Sequence, residues 1–112
     1  MILLICGGRF FNDYEALCAA MRELPFVPEI IIEGGAKGAD SLARSWASSN
    51  GVHWAEVPAL WTNYYKAAGG LRNSAMLLLK PDYCLAMPGN SGTADMVAKC
   101  KDNNITVWGP YA

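Results

Sequence analysis

Five short apolar runs punctuate the chain, and between them apolar residues recur at helical spacing. The first run, residues 2–6, reads Ile2-Leu3-Leu4-Ile5-Cys6 and is continuous rather than alternating. A run of that kind suits a strand buried on both faces, as in a parallel sheet. Gly7-Gly8-Arg9 ends it. Asp13 is placed to cap a helix over about 14–24 that sets Tyr14, Leu17, Met21 and Leu24 on one face. Pro25 and Pro28 close that segment. Residues 29–33 read as the second strand, followed by Gly34-Gly35-Ala36-Lys37-Gly38. A helix over about 39–49 places Leu42, Ala43, Trp46 and Ala47 at helical spacing and stops at Asn50-Gly51.

The second half repeats the alternation less cleanly. Residues 52–57 make a third, less apolar strand, expected at a sheet edge. Residues 58–70 show no regular period and are rich in aromatics, with Trp61, Tyr64 and Tyr65. A helix over about 71–80 is stopped by Pro81. Residues 83–87 are the fourth strand, 88–92 a loop, 93 to about 102 a helix, and 105–108 the fifth strand. Strands alternating with helices five times predict an α/β, Rossmann-like three-layer fold with a five-stranded, mostly parallel sheet. Right-handed crossovers favour the strand order 3-2-1-4-5. The loops after strands 1 and 4 then flank the switch point, where ligands bind in such sheets. The length of 112 residues suits one domain, and no internal repeat divides it.

Composition narrows the partners. Nine basic and ten acidic residues give a net charge of −1, which argues against nucleic acid as a partner. Apolar residues make up 53% against 17% charged, so part of the excess is expected in a homo-oligomer interface, dimeric or higher. No apolar run is long enough to span a membrane, and Met1-Ile2-Leu3-Leu4-Ile5-Cys6 lacks the basic leader of a signal peptide, so a cytoplasmic protein is expected. Cys6, Cys18, Cys84 and Cys100 form no C-x-x-C pair; they read as reduced thiols packed as small hydrophobes, with no metal and no cofactor expected.

Candidate chemistry gathers in three glycine-containing loops, each of which leaves a strand and enters a helix. A helix start offers unpaired N–H groups and partial positive charge, and glycine lets the backbone approach an anion closely. The expected ligand-binding set is Gly7, Gly8, Arg9, Gly34, Gly35, Lys37, Asp40, Arg72, Asn73, Pro88, Gly89, Asn90, Ser91, Gly92 and Thr93. Within it, Ser91 and Thr93 could donate to phosphate or cap the helix, and Arg9 and Arg72 would supply the charge. Arg72 reads as lying in the first turn of its helix, after Gly69-Gly70, and Lys37 suits a solvated loop as well as a ligand. Asp40 could cap the second helix or bind ribose hydroxyls. Asp95 reads as first-turn, favourable to the dipole or able to act on a water or a sugar. Glu33 ends strand 2 at the rim; His53, on the edge strand, is given no catalytic role. Trp61 and Tyr65 could stack on a base or pack over the sheet. The chain has no G-x-G-x-x-G, Walker or G-x-S-x-G motif.

The ordered motifs resemble one family. They are Gly7-Gly8-Arg9 with Asp13; Gly34-Gly35-Ala36-Lys37-Gly38-Ala39-Asp40 with Ala43 and Trp46; Pro58-Ala59 with Trp61; Ala67-Ala68-Gly69-Gly70-Leu71-Arg72-Asn73 with Met76; and Pro88-Gly89-Asn90-Ser91-Gly92-Thr93-Ala94-Asp95-Met96. Together, over about 6–108 of the chain, they resemble the small YspA-related (YpsA-like) members of the SLOG superfamily, common in bacteria and phages. The resemblance implies a Rossmann-like fold that binds nucleotides or nucleotide-derived ligands, as a sensor or sequestering protein. More distant relatives, the LOG-type phosphoribohydrolases, cleave the N-glycosidic bond of nucleoside monophosphates. Their arginine matches Arg72, and the G-T of their P-G-G-x-G-T-x-x-E loop matches Gly92 and Thr93. Their glutamate position falls on Met96, with Asp95 one residue early, and Asn90 replaces their second glycine. The resemblance thus favours binding. The alternatives are an N-glycosidase with Arg72 and Asp95 as its catalytic pair, and single-strand nucleic-acid binding as in DNA-processing relatives.

Overall fold

The computed structural model describes residues 1–109. Five strands, β1 (Ile2–Cys6), β2 (Ile30–Glu33), β3 (His53–Glu56), β4 (Tyr83–Ala86) and β5 (Thr106–Trp108), form one sheet. Its order is β3-β2-β1-β4-β5, with every neighbouring pair parallel, as the alternation predicted. In register, Leu4 of β1 lies between Ile32 of β2 and Cys84 of β4. The edge position of β3 agrees with its exposed residues His53, Trp54 and Glu56.

The continuous apolar run of β1 is explained by burial on both faces. Leu3 and Ile5 join Ile31, Leu85 and Met87 under α1 (Tyr14–Glu23) and α2 (Ala39–Ser49), where Leu17, Met21, Ala43 and Ala47 complete the cluster. Leu4 and Cys6 point the other way, to Ile32, Cys84 and Ala86 and to Met76, Met96, Val97 and Cys100 of α4 (Ala68–Leu77) and α5 (Ser91–Asp102). The period-2 alternation of side chains thus divides one apolar run between two cores. Asp13 caps α1, its Oδ1 accepting from the Ala16 N–H at 3.0 Å. Trp46 packs against the first core.

Helix boundaries differ from the sequence expectation chiefly in one region. Residues 58–70 are not irregular throughout: α3 (Trp61–Tyr64) and a 3-10 turn (Tyr65–Ala67) lead straight into α4, which starts at Ala68. Gly69 and Gly70 therefore lie inside the helix. A helical glycine costs roughly 1 kcal/mol relative to alanine, which favours reading the pair as a loop. A Cβ on Gly69 would stand 3.4 Å from Cη2 of Trp61, an ordinary contact, so the indole packs close to this turn of the helix. At the far end α4 stops at Leu77, and Lys80 turns the chain at φ 54°. The last helix begins at Ser91 rather than Thr93.

All four cysteines are free, and Cys6, Cys84 and Cys100 are buried, with the Cys6 and Cys84 sulfurs 3.8 Å apart. Hydrogen bonding with Cys100 and Cys6 and burial push the Cys84 thiol up, so it stays protonated. No helix among the described residues is long and apolar enough to cross a membrane.

Candidate functional site

At the carboxyl end of the sheet, between β1 and β4, three loops and the face of α4 converge. The β1 loop is anchored first. Gly8 donates its N–H to the Pro88 carbonyl at 2.8 Å, and the Gly8 carbonyl accepts from Phe11 at 3.2 Å and Ala39 at 3.1 Å. This ties the β1 loop to the β4 loop and to the start of α2. Close approach requires glycine at two of these places. A Cβ on Gly89 would collide with Thr93 Oγ1 and lie 2.7 Å from the Gly8 nitrogen. Gly38 sits at φ 76°, and a Cβ there would collide with the Gly8 carbonyl.

The β2 loop spends its own amides internally. Gly35 donates to Oε1 of the fully buried Glu33 at 2.6 Å, and Ala36 donates to Oδ2 of Asp40 at 3.2 Å. Asp40 is therefore not the N-cap of α2; that position is Gly38. Burial raises the Asp40 carboxyl above its ordinary range, opposed by the Ala36 N–H and the Arg72 charge.

Arg72 is the fifth residue of α4, a turn further in than the sequence suggests, because the helix starts at Ala68. Its Nη1 donates to the Gly34 carbonyl at 2.6 Å and its Nε to Asn73 Oδ1 at 3.0 Å. Asn73, itself buried, donates through Nδ2 to the Gly92 carbonyl at 3.2 Å and to Asp95 Oδ2 at 3.0 Å. Lys99 donates to the same Asp95 oxygen at 2.9 Å and to the Gly70 carbonyl at 2.9 Å. Burial alone would raise Asp95, but Asn73 and Lys99 outweigh it and hold the carboxylate below its ordinary range. Since α5 starts at Ser91, Asp95 belongs to the second turn, not the first, and the first turn carries no acid.

The start of α5 is left open. Its N-cap, Asn90, makes no side-chain capping bond. The N–H groups of Ser91, Gly92 and Thr93 precede the first intrahelical bond, made by Ala94 to the Asn90 carbonyl at 2.9 Å. Gly92 and Thr93 line a cavity of about 80 Å³ together with Gly8, Arg9, Asp40, Arg72 and Asn90, and Ser91 lines a wider cleft beside it. Two wider clefts adjoin it. One, about 590 Å³, runs toward Lys37 and Pro58; the other, about 480 Å³, runs toward Lys66 and Asp95.

A family model described as "YspA, cpYpsA-related SLOG family" matches residues 1–64, more than half of the chain. The chain belongs to that family. It is also 35% identical over 116 residues to the "Gene 61 protein" of Mycobacterium phage D29, an overlap of 94% of this chain and 92% of that one. No solved structure matches it.

Within this SLOG chain the expected ligand residues separate into groups. Gly7, Gly8, Arg9, Gly34, Asp40, Arg72, Asn73, Asn90, Gly92 and Thr93 line the central cavity. Gly35 and Lys37 line the cleft beside it, and Ser91 and Asp95 the opposite one. Pro88 and Gly89 act behind the wall, by holding Gly8 and Thr93. Glu33 ends β2 but turns into the protein rather than to the rim. Met76 and Met96, read in the sequence as family-motif positions, also line the central cavity, and Phe10, which sequence reasoning passed over, borders both wider clefts. An aromatic directly after Gly7-Gly8-Arg9, at the rim of a parallel sheet, was the available signal for Phe10. Tyr65 borders neither cleft.

Proposed function

We propose that this protein binds a nucleotide or a nucleotide-derived ligand containing ribose phosphate, as a sensor or sequestering protein in the cytoplasm. The observation that carries the reading is the uncapped, acid-free start of α5, opposed across one cavity by Arg9 and Arg72. Three consecutive N–H groups with the helix dipole behind them favour an anion, and a phosphate would take all three. Arg9 and Arg72 neutralise its charge, and the oxygens of Asp40 and Asn73 accept from ribose hydroxyls. Family membership supports the nucleotide class, since the loops that build the cavity are those the family resemblance runs through. The test is calorimetric titration with AMP, ADP-ribose and cyclic nucleotides. Saturable binding that Arg72→Ala weakens is expected; no heat from any of them would remove the reading.

One observation favours hydrolysis as a second reading. Asp95 is held ionised beside Arg72 and Asn73 in one cleft, with Oδ1 unbonded among the described residues. A carboxylate so placed could stabilise an oxocarbenium-like sugar or orient water, with Arg72 on the phosphate. Release of free base from AMP, abolished by Asp95→Asn, is its signature.

We also take the functional unit to be a homo-oligomer. Its support is the apolar surface of α3 and α4, where Leu60 (52% exposed), Tyr64 (51%), Leu71 (48%) and Leu78 (80%) meet solvent.

A further inference from the structure

Two large aromatic side chains stand in solvent where the two clefts meet. Phe10 is 86% exposed and Trp61 51% exposed. Four residues border both clefts: Arg9, Phe10, Trp61 and Arg72. The joint between the clefts is therefore framed by two guanidinium groups and two aromatic rings.

The local structure explains why both rings are presented. The Phe11 N–H donates to the Gly8 carbonyl, closing a turn with Arg9 and Phe10 at its two central positions. Gly8 is held on both sides, by Pro88 and Ala39, so the turn has a fixed base and a projecting tip. Trp61 opens α3, and its indole edge rests near Gly69 of α4. The ring is supported from beneath while half of it stays open. Neither ring belongs to a core cluster, so neither is explained by packing.

Charge sets the chemistry of an occupant. One cleft carries Arg9, Lys37 and Arg72 and no carboxylate; the other carries Arg9, Lys66 and Arg72 with Asp95. A ligand fitting this joint has a planar π-face for the rings and negative charge for the cations.

We infer that Phe10 and Trp61 are the base-recognition element of the site: the base of the bound nucleotide stacks on these rings while its phosphate points to the start of α5. The inference rests on the nucleotide reading above and adds what that reading leaves open, a requirement for the base itself. Stacking is tolerant of base identity because every base has a π-face, and a purine offers the larger one. The site then ranks purine nucleotides above pyrimidine nucleotides, and both above a bare sugar phosphate.

The test is calorimetry with AMP, CMP and ribose 5-phosphate on the wild type, Phe10→Ala, Trp61→Leu, the double variant and Trp61→Phe. Circular dichroism confirms that each variant folds, as the exposure of both rings leads one to expect. The wild type is expected to bind AMP about tenfold to a hundredfold more tightly than ribose 5-phosphate. The double variant is expected to lose that preference while its affinity for ribose 5-phosphate stays unchanged, and Trp61→Phe to keep most of it. Equal affinity of the wild type for AMP and ribose 5-phosphate, or a double variant that retains the preference, overturns the base-stacking role and leaves the phosphate site standing. Failure of all three compounds to bind removes the nucleotide reading itself, and this inference with it.

Discussion

Arg72 reaches from α4 to the carbonyl of Gly34 in the β2 loop, its Nη1 donating at 2.6 Å. The contact depends on glycine at the other end. A Cβ on Gly34 would strike the guanidinium and lie 2.9 Å from Asp40 Oδ2. Position and charge of the arginine can thus be separated by experiment. Arg72→Ala removes both and is expected to weaken AMP binding about tenfold to a hundredfold, the range for one charge-assisted hydrogen bond. Gly34→Ala keeps the charge but displaces it, and a loss of similar direction is expected in calorimetry. Wild-type affinity in Gly34→Ala would show that the placement does not matter.

Glu33 gives a pH signature. It is fully buried, its Oε1 accepts from Gly35, and its Oε2 has no hydrogen-bond partner among the described residues. Arg44 stands 3.8 Å away but is engaged by Glu56 Oε1 at 2.5 Å. Burial, opposed by the Gly35 N–H and reinforced by Glu56 and Asp40, raises the carboxyl from 4.5 to about 7. The folded state therefore holds this proton more tightly than the unfolded state. The Glu33 contribution is favourable at low pH and is lost as pH rises from about 4.5 to about 7. A rise of that size corresponds to on the order of 3 kcal/mol. Glu33→Gln copies the neutral form and is expected to flatten the pH dependence of urea unfolding between pH 5 and pH 8 and to stabilise the protein at pH 8. A variant less stable than wild type at pH 8 would show that the buried carboxylate is ionised and paired.

Much of this architecture is legible in the sequence, for identifiable reasons. The run Ile2–Cys6 is apolar at every position because both faces of β1 are covered, and that alone points to a central parallel strand. The edge strand β3 is legible from its polar residues. What was obscured lies between Pro58 and Arg72. Gly69 and Gly70 look like a loop, yet they lie in the first turn of α4, which starts at Ala68. The same shift moves Arg72 from a helix end to a helix interior. At the site, the glycine loops were readable but the use of their amides was not. Gly35 and Ala36 appear available in sequence and are consumed by Glu33 and Asp40, which act only after folding. The proposed phosphate site therefore rests on the start of α5 rather than on three loops.

Gly89 and Gly92 separate architecture from binding. A Cβ on Gly89 would collide with Thr93 Oγ1, whereas one on Gly92 meets nothing within 4 Å. Gly89→Ala is expected to destabilise the fold by roughly 1–3 kcal/mol, visible as a lower Tm. Gly92→Ala is expected to leave Tm unchanged or slightly raised, since a helical alanine replaces a glycine. On the proposed anion site at this helix start the added methyl group crowds the ligand, so AMP affinity is expected to fall. Equal Tm values for the two variants would contradict the packing described for Gly8, Gly89 and Thr93.

The apolar surface of α3 and α4 can be tested independently of any ligand. Light scattering of the wild type is expected to give a mass above the 12.1 kDa of one chain. Leu71→Asp, which places a charge in that surface, is expected to return the mass to one chain with the fold intact. A wild-type protein that is monomeric at high concentration would contradict the oligomer.

Amide chemical shifts on nucleotide addition test the central claim most directly. In a 15N-labelled sample titrated with AMP, the N–H resonances of Ser91, Gly92 and Thr93 are expected to move together and saturate, while those of the edge strand His53–Glu56 stay in place. Saturation that leaves these three amides unmoved, or that moves residues remote from α5 instead, would contradict an anion site at the start of that helix.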